Sequence, residues 1–316
     1  MGAPPVGDRR PGAVRSAAVL DYHLHLWPHG ERDTAPTLDQ VASYCEIAHG
    51  AGVEEIALTE HLFRFVQADH LLRGFWEEES DPELRASMAA YWDDHARADL
   101  DAYVECVLEA KAEGLPVVLG LEVDYYRGRM HQVEQLLSGY PFDVLLGSVH
   151  WIGTWRFDDL DDQVSMDQWS VRDIDAAWDD YTLCIEELAA SGVCDVLAHP
   201  DLIKVAGYRA TAPRECFDRL AEAARSSGMA AECSTAGLRK PVGEIFPAPP
   251  LIDRFVSAGV PFTTASDAHG KEHVAYHSPA LRSLLAGFGI ESLQAYEGRR
   301  PRLVSVGPAE QPVESS

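Results

Sequence analysis

The chain has 316 residues, 46% of them hydrophobic, which is enough to bury one large core. Its 26 Lys plus Arg face 51 Asp plus Glu, a formal charge of −25 at pH 7, which argues against binding a nucleic-acid backbone or an anionic membrane. Six cysteines without a CxxC pair read as reduced thiols of a cytoplasmic protein, and no apolar run approaches the roughly 18 residues of a membrane span.

Residues 1–17 are rich in Pro, Gly and Arg, lack the apolar core of a signal peptide and read as a flexible tail. A strand follows at 18–26, where His23 and His25 lie two apart and so project to one face. Taken alone, that pair is also what two surface histidines would give. Residues 37–52 carry a helical apolar period closed by Gly50 and Gly52. The strand 54–61 ends in Glu60 and His61. Residues 62–98 hold Phe63, Phe65, Phe75, Trp76, Tyr91 and Trp92 among many acids. They read as an inserted helical segment, either a packed surface pair or a wall of a pocket.

A helix at 100–113 leads to the strand 116–125, which ends in Glu122 and Asp124. A short helix and the strand 142–151, ending in His150, come next. An acidic loop insertion at 152–170 precedes a helix at 171–190 and a strand at 194–202 that carries His199. The helix 213–227 starts at a proline, and the strand 229–237 carries Glu232. The helix 249–258 is followed by the strand 261–269, ending in Asp267 and His269. A helix at 280–287, a covering strand RPRLVSV and a tail at 307–316 complete the chain.

Seven strand-then-helix units predict an α/β fold with a parallel sheet, and units of this kind can close into a barrel. Chemistry in such barrels sits at the C-terminal ends of the strands. Those ends carry six imidazoles (His23, His25, His61, His150, His199, His269) and two carboxylates (Glu122, Asp267). That donor set predicts two or three divalent metal ions, with zinc, manganese or iron as the suitable cations. Close cations activate water at neutral pH and neutralise an anionic ester, so the natural substrate is a small phosphate ester. Asp21 and Asp124 are expected to orient imidazoles. Glu232 is read as facing the same mouth, to pair with a substrate ammonium or to orient a ligand. Three of the four lysines, Lys204, Lys240 and Lys271, fall just past strand-end motifs, which predicts a local positive rim or plain solvated charges.

DYHLHLWPHG, LTEH, GLEVDY, GSVH, AHPD and SDAH, in this order, resemble the PHP (polymerase and histidinol phosphatase) superfamily over roughly residues 18–303. Within that span GLEVDY, SVHWIG, AHPDLIK, ECSTAGLRKP and SDAHG are similar to histidinol-phosphate phosphatases. The resemblance implies one distorted (β/α)7 barrel domain over 18–306. His23, His25, Glu122 and Asp267 would hold one metal, Glu122 would bridge to a second held by His150 and His199, and His61, His269 and His29 would hold a third. His29 departs from the pattern, because the loop before it is shorter than in the family. Glu122, Asp267 and His269 are the implied catalytic residues, and Lys204, Arg239 and Arg156 the implied phosphate clamps. The implied activity is hydrolysis of histidinol phosphate in histidine biosynthesis by a monomer or homodimer. The alternative is another small ester, a sugar, nucleotide or amino-alcohol phosphate, selected by the two insertions. A nucleic-acid phosphoesterase or a non-catalytic module is disfavoured by the acidic charge and the complete ligand set.

Overall fold

The computed structural model describes residues 19–28 and 35–306. Both expected tails and the candidate ligand His29 lie outside the described residues. The chain order is β1 (Leu20–Leu24), α1 (Leu38–Gly50), β2 (Glu55–Leu58), α2 (Val66–Leu72), α3 (Pro82–His95), α4 (Leu100–Ala112), β3 (Val117–Asp124), α5 (Met130–Leu137) and β4 (Val144–Ser148). It continues with α6 (Gln163–Val171), α7 (Ile174–Ser191), β5 (Val196–Leu197), α8 (Arg214–Ser227), β6 (Ala230–Ser234), α9 (Pro249–Ala258), β7 (Phe262–Ala265), α10 (Ser278–Gly287), β8 (Ser292–Glu297) and β9 (Arg300–Ser305).

β1 to β7 pair in sequence order, every neighbour parallel. The sheet nearly closes on itself. His25 N–H donates to the Ala268 carbonyl at 2.8 Å, and the Thr264 hydroxyl donates to the Leu20 carbonyl at 2.7 Å. This is the expected α/β barrel of seven strands wrapped in helices. Its strands are buried on both faces, as all of β3 shows, which explains their unbroken apolar runs.

Part of the acidic excess has a local use. Asp81, Asp99, Asp162 and Asp173 cap the N-termini of α3, α4, α6 and α7, accepting from main-chain N–H groups that a helix start leaves unpaired. The helix expected over 171–190 is α7, beginning three residues later. Arg172 is extended, and Asp173 opens this helix by accepting from Ala176 N at 2.9 Å. The insertion at 152–170 is accordingly part helix, α6, rather than a loop. β5 is far shorter than the predicted 194–202, because the chain turns at His199, where φ is +27°.

The two insertions pack on each other as one wall. Ser87 Oγ donates to Asp162 at 2.8 Å, Thr154 Oγ1 donates to Glu79 at 2.8 Å, and the Arg156 guanidinium lies over the Tyr91 ring at 4.3 Å. At the opposite end of the barrel, β8 and β9 form an antiparallel hairpin. Arg299 clasps Asp195 at 2.6 and 2.9 Å, Gly298 N donates to Asp143 at 3.0 Å, and Arg302 pairs with Glu55. β8 was not predicted. Its turn places Gly298 and Arg299 both at positive φ, and Gly-Arg lacks the Asn-Gly signal of such turns. Among the described residues, no helix is long and apolar enough to cross a membrane.

Candidate metal centre

Glu122 occupies the middle of the barrel mouth. Its Oε2 lies 3.2 Å from His23 Nε2, 3.6 Å from His25 Nε2 and 2.7 Å from His61 Nδ1. Its Oε1 lies 3.3 Å from His150 Nε2 and 3.0 Å from His199 Nε2. Five histidines from four strand ends thus converge on one carboxylate. Asp267, from the end of β7, adds Oδ1 at 3.6 Å from His25 Nε2, 3.9 Å from His23 Nε2 and 3.4 Å from His269 Nδ1. His61 and His269 bring their Nε2 atoms to 3.3 Å. Eight of the nine expected ligands therefore share one site, His29 lying outside the described residues.

The donors fall into four overlapping groups, each with its atoms within 4.8 Å of one another. They are His23, His25 and Asp267; His23, Glu122 and His199; His25, His61 and His269; and His61, Asp124 and His150. The grouping differs from the expected one. His25 joins His61 and His269 where His29 was expected, His23 joins Glu122 and His199, and Asp124, which holds His150 as expected, also comes within reach of His61.

The chemistry of the buried atoms fits divalent cations. Among the described residues, His23 Nε2, both ring nitrogens of His25, His199 Nδ1 and Glu122 Oε2 are buried without a hydrogen-bond partner. Each such atom costs about 1–3 kcal/mol when left unsatisfied, and a cation shared by imidazoles and carboxylates removes that penalty. The electrostatics agree. Burial would raise the Glu122 pKa, but the surrounding imidazoles, His23 first among them, hold it well below the usual carboxylate range. Burial and the neighbouring His269 and His61 push His25 well down, and burial takes His61 to about 3. Both rings are therefore neutral at pH 7, with lone pairs available to a metal. His199 and Asp267 sit at φ of +27° and +51°, a backbone region costly for non-glycine residues and common at functional sites.

Behind these donors stand acids that hold the rings. Asp124 Oδ1 lies 2.5 Å from His150 Nδ1. Glu232 does not face the mouth as expected. Its Oε2 lies 2.8 Å from His23 Nδ1 and its Oε1 accepts from His199 N at 3.2 Å, so neither oxygen is left for a substrate ammonium. Asp21, by contrast, has no hydrogen bond to an imidazole among the described residues. It accepts from Ser266 N, Ser266 Oγ and Ala275 N at 2.7, 2.6 and 2.9 Å and seals the β1–β7 seam. Glu60 was missed. It accepts from Leu26 N and from Trp27 N (3.1 Å), lies 3.6 Å from His25 Nδ1, and is raised to about 7 by burial. The signal was present, a carboxylate at the end of β2 next to His61.

Two of the three expected phosphate clamps are corrected. Lys204 is fully buried, and its ammonium is taken up by Asp201 (2.8 Å), Glu244 (2.9 Å) and the Ile245 carbonyl (2.8 Å). It fastens the turn after β5 to the loop after β6. That loop is tightly folded, for a Cβ on Gly237 would lie 2.0 Å from the Glu244 carbonyl. Arg156 is buried inside the insertion wall, 2.8 Å from Asp162, 2.9 Å from Ser87 Oγ and 4.3 Å above the Tyr91 ring. Arg239 remains at the mouth. Its Nη2 donates to the carbonyls of Ser266 (2.8 Å) and Asp267 (2.9 Å), while Nη1 has no hydrogen-bond partner.

The PHP domain family model matches residues 22–236. A probable histidinol-phosphatase from Deinococcus radiodurans is 29% identical over 264 residues, 82% of this chain and 89% of that protein. The fold is similar to the crystal structure of histidinol phosphate phosphatase from Lactococcus lactis, solved with zinc, L-histidinol and phosphate. The TM-score is 0.62 at 20% identity, over 90% of this chain and 98% of that one. It is also similar to a putative histidinol phosphatase from Listeria monocytogenes, with TM-score 0.64 at 19% identity over 82% and 98% of the two chains.

Proposed function

This chain belongs to the PHP domain family, and on that premise we propose that it is a metal-dependent phosphomonoesterase hydrolysing L-histidinol phosphate to L-histidinol and phosphate. The observation that carries the reading is Glu122 among the imidazoles of five strand-end histidines. The named relative from Deinococcus radiodurans, at 29% identity, supports the substrate.

Two or three ions of zinc, manganese or iron, held by His23, His25, His61, Glu122, His150, His199, Asp267 and His269, would supply water activated at neutral pH and charge to neutralise the phosphoryl group. The chain's own residues prepare that site. Glu232 and Asp124 hold the Nδ1 atoms of His23 and His150, which turns their Nε2 atoms into the site, where they would bind a metal. Arg239, with one nitrogen free of hydrogen bonds beside Asp267, is placed to hold a phosphoryl oxygen. Asp267 and His269, 3.4 Å apart at the mouth, are the groups placed to pass a proton to the leaving alkoxide oxygen. All six cysteines are free and buried, which suits the reducing cytoplasm.

The test is phosphate release from a panel of phosphomonoesters by enzyme of known metal content. L-histidinol phosphate should be turned over fastest. A clear preference for a sugar or nucleotide phosphate would keep the metal-dependent phosphatase and reject this substrate.

A further inference from the structure

The insertion wall brings one carboxylate to the mouth that the mechanism above does not use. Phe63 stacks on His61 at 4.6 Å and meets Tyr91 at 5.4 Å, and Arg156 lies over the Tyr91 ring at 4.3 Å. On the other side, Phe157 packs edge-on to Tyr181 at 5.5 Å, and the Tyr181 hydroxyl donates to the carbonyls of His199 (3.4 Å) and Pro200 (3.2 Å). Residues 156 and 157 are thereby clamped between the His61 and His199 strand ends. The His150 ring lies between those two, 5.4 Å from His61 and 5.1 Å from His199. Asp158 follows immediately in the chain and is half-buried. Its charge acts on His150, His199, Tyr91 and Lys240, yet among the described residues no hydrogen bond or ion pair engages its carboxylate. The guanidinium of Arg156, two residues before it, is engaged by Asp159 and Asp162.

We infer that Asp158 is a specificity-determining residue, whose carboxylate receives the ammonium group of the leaving alcohol at the rim of the metal mouth. The inference rests on the phosphomonoesterase reading and adds the substrate class, an ester whose alcohol carries a cationic amine. A half-buried carboxylate without a protein partner gains most from a ligand cation, and a hydrogen bond to a charged group contributes about 1.5–3 kcal/mol. Discrimination against an ester lacking the amine follows from leaving that carboxylate unpaired.

The test compares kcat/KM of the metal-loaded full-length enzyme for two esters differing only in the amine, L-histidinol phosphate and its deaminated analogue. Wild type should favour the amine-bearing ester by about tenfold or more, and Asp158→Asn should lose most of that ratio, chiefly through KM. An unchanged ratio in the variant, or no preference in wild type, overturns the inference. If wild type turns over both esters poorly, the histidinol phosphate reading fails. Asp158 is then judged by the same ratio for ethanolamine phosphate against ethyl phosphate. Should the variant not fold, inhibition of wild type by L-histidinol and by its deaminated analogue decides. Weaker inhibition by the analogue, about tenfold, supports the role, and equal inhibition rejects it.

Discussion

Glu232 holds His23 by its Nδ1 at 2.8 Å and, with its other oxygen, accepts the His199 main-chain N–H at 3.2 Å. One carboxylate from β6 thus sets a ring from β1 and the backbone after β5. Glu232→Gln should weaken metal binding about 10- to 100-fold, measured by competition with a chelator, and excess metal should restore the rate. A KM rise confined to amine-bearing substrates would instead place Glu232 at the substrate.

Lys204 is the buried cation between Asp201 and Glu244. Lys204→Met leaves those acids without their shared partner. It should cost about 3–5 kcal/mol in urea unfolding, the usual result of breaking a buried ion pair from one side. At temperatures where the variant is folded, KM for p-nitrophenyl phosphate should stay near wild type. A large KM rise without loss of stability would return Lys204 to the phosphate.

Arg239→Gln should raise KM for every phosphomonoester by a similar factor, about tenfold, because a phosphoryl contact is common to all of them. An effect that follows the alcohol rather than the phosphate would show that Arg239 reads the leaving group.

His95 in α3 gives a pH signature away from the metals. Burial lowers its pKa from 6.5 to about 4. The folded protein therefore binds fewer protons than the unfolded chain between these values. The stability this group contributes is complete above pH 6.5, declines as pH falls toward 4, and changes no further below that. In urea unfolding across this window, the stability difference between wild type and His95→Gln should shift against wild type as pH drops. A difference independent of pH would mean that His95 titrates normally.

Stripping metal should lower stability as well as activity. A ligand at a thousandfold excess over its Kd contributes about 4 kcal/mol to the bound fold. Thermal unfolding with and without added zinc or manganese measures this, and an identical Tm would speak against a resident ion.

The barrel and its donor set were legible because both depend on local pattern. Parallel strands buried on both faces read as apolar runs, and a polar His or Glu at the end of such a run stands out, as at His61, Glu122 and His150. α6 was harder, because it is short and buries only Ser165 and Trp169, so it carries little apolar period. β8 was harder still, since its one strand partner is β9 and its turn residues are atypical.

By itself, the sequence determined the seven-unit barrel and the set of imidazoles and carboxylates at its mouth. Only the tertiary structure decided which way the second layer of charges points. Glu232 turns behind His23, and Lys204 is enclosed by Asp201 and Glu244, the latter 40 residues away in the chain. Arg156 is held in the wall by Asp162 and Ser87 of the other insertion. Nothing in the spacing distinguishes a charge that faces a ligand from one that faces another charge. That choice is made by partners distant in sequence, because a buried ion stays charged only where such partners meet it.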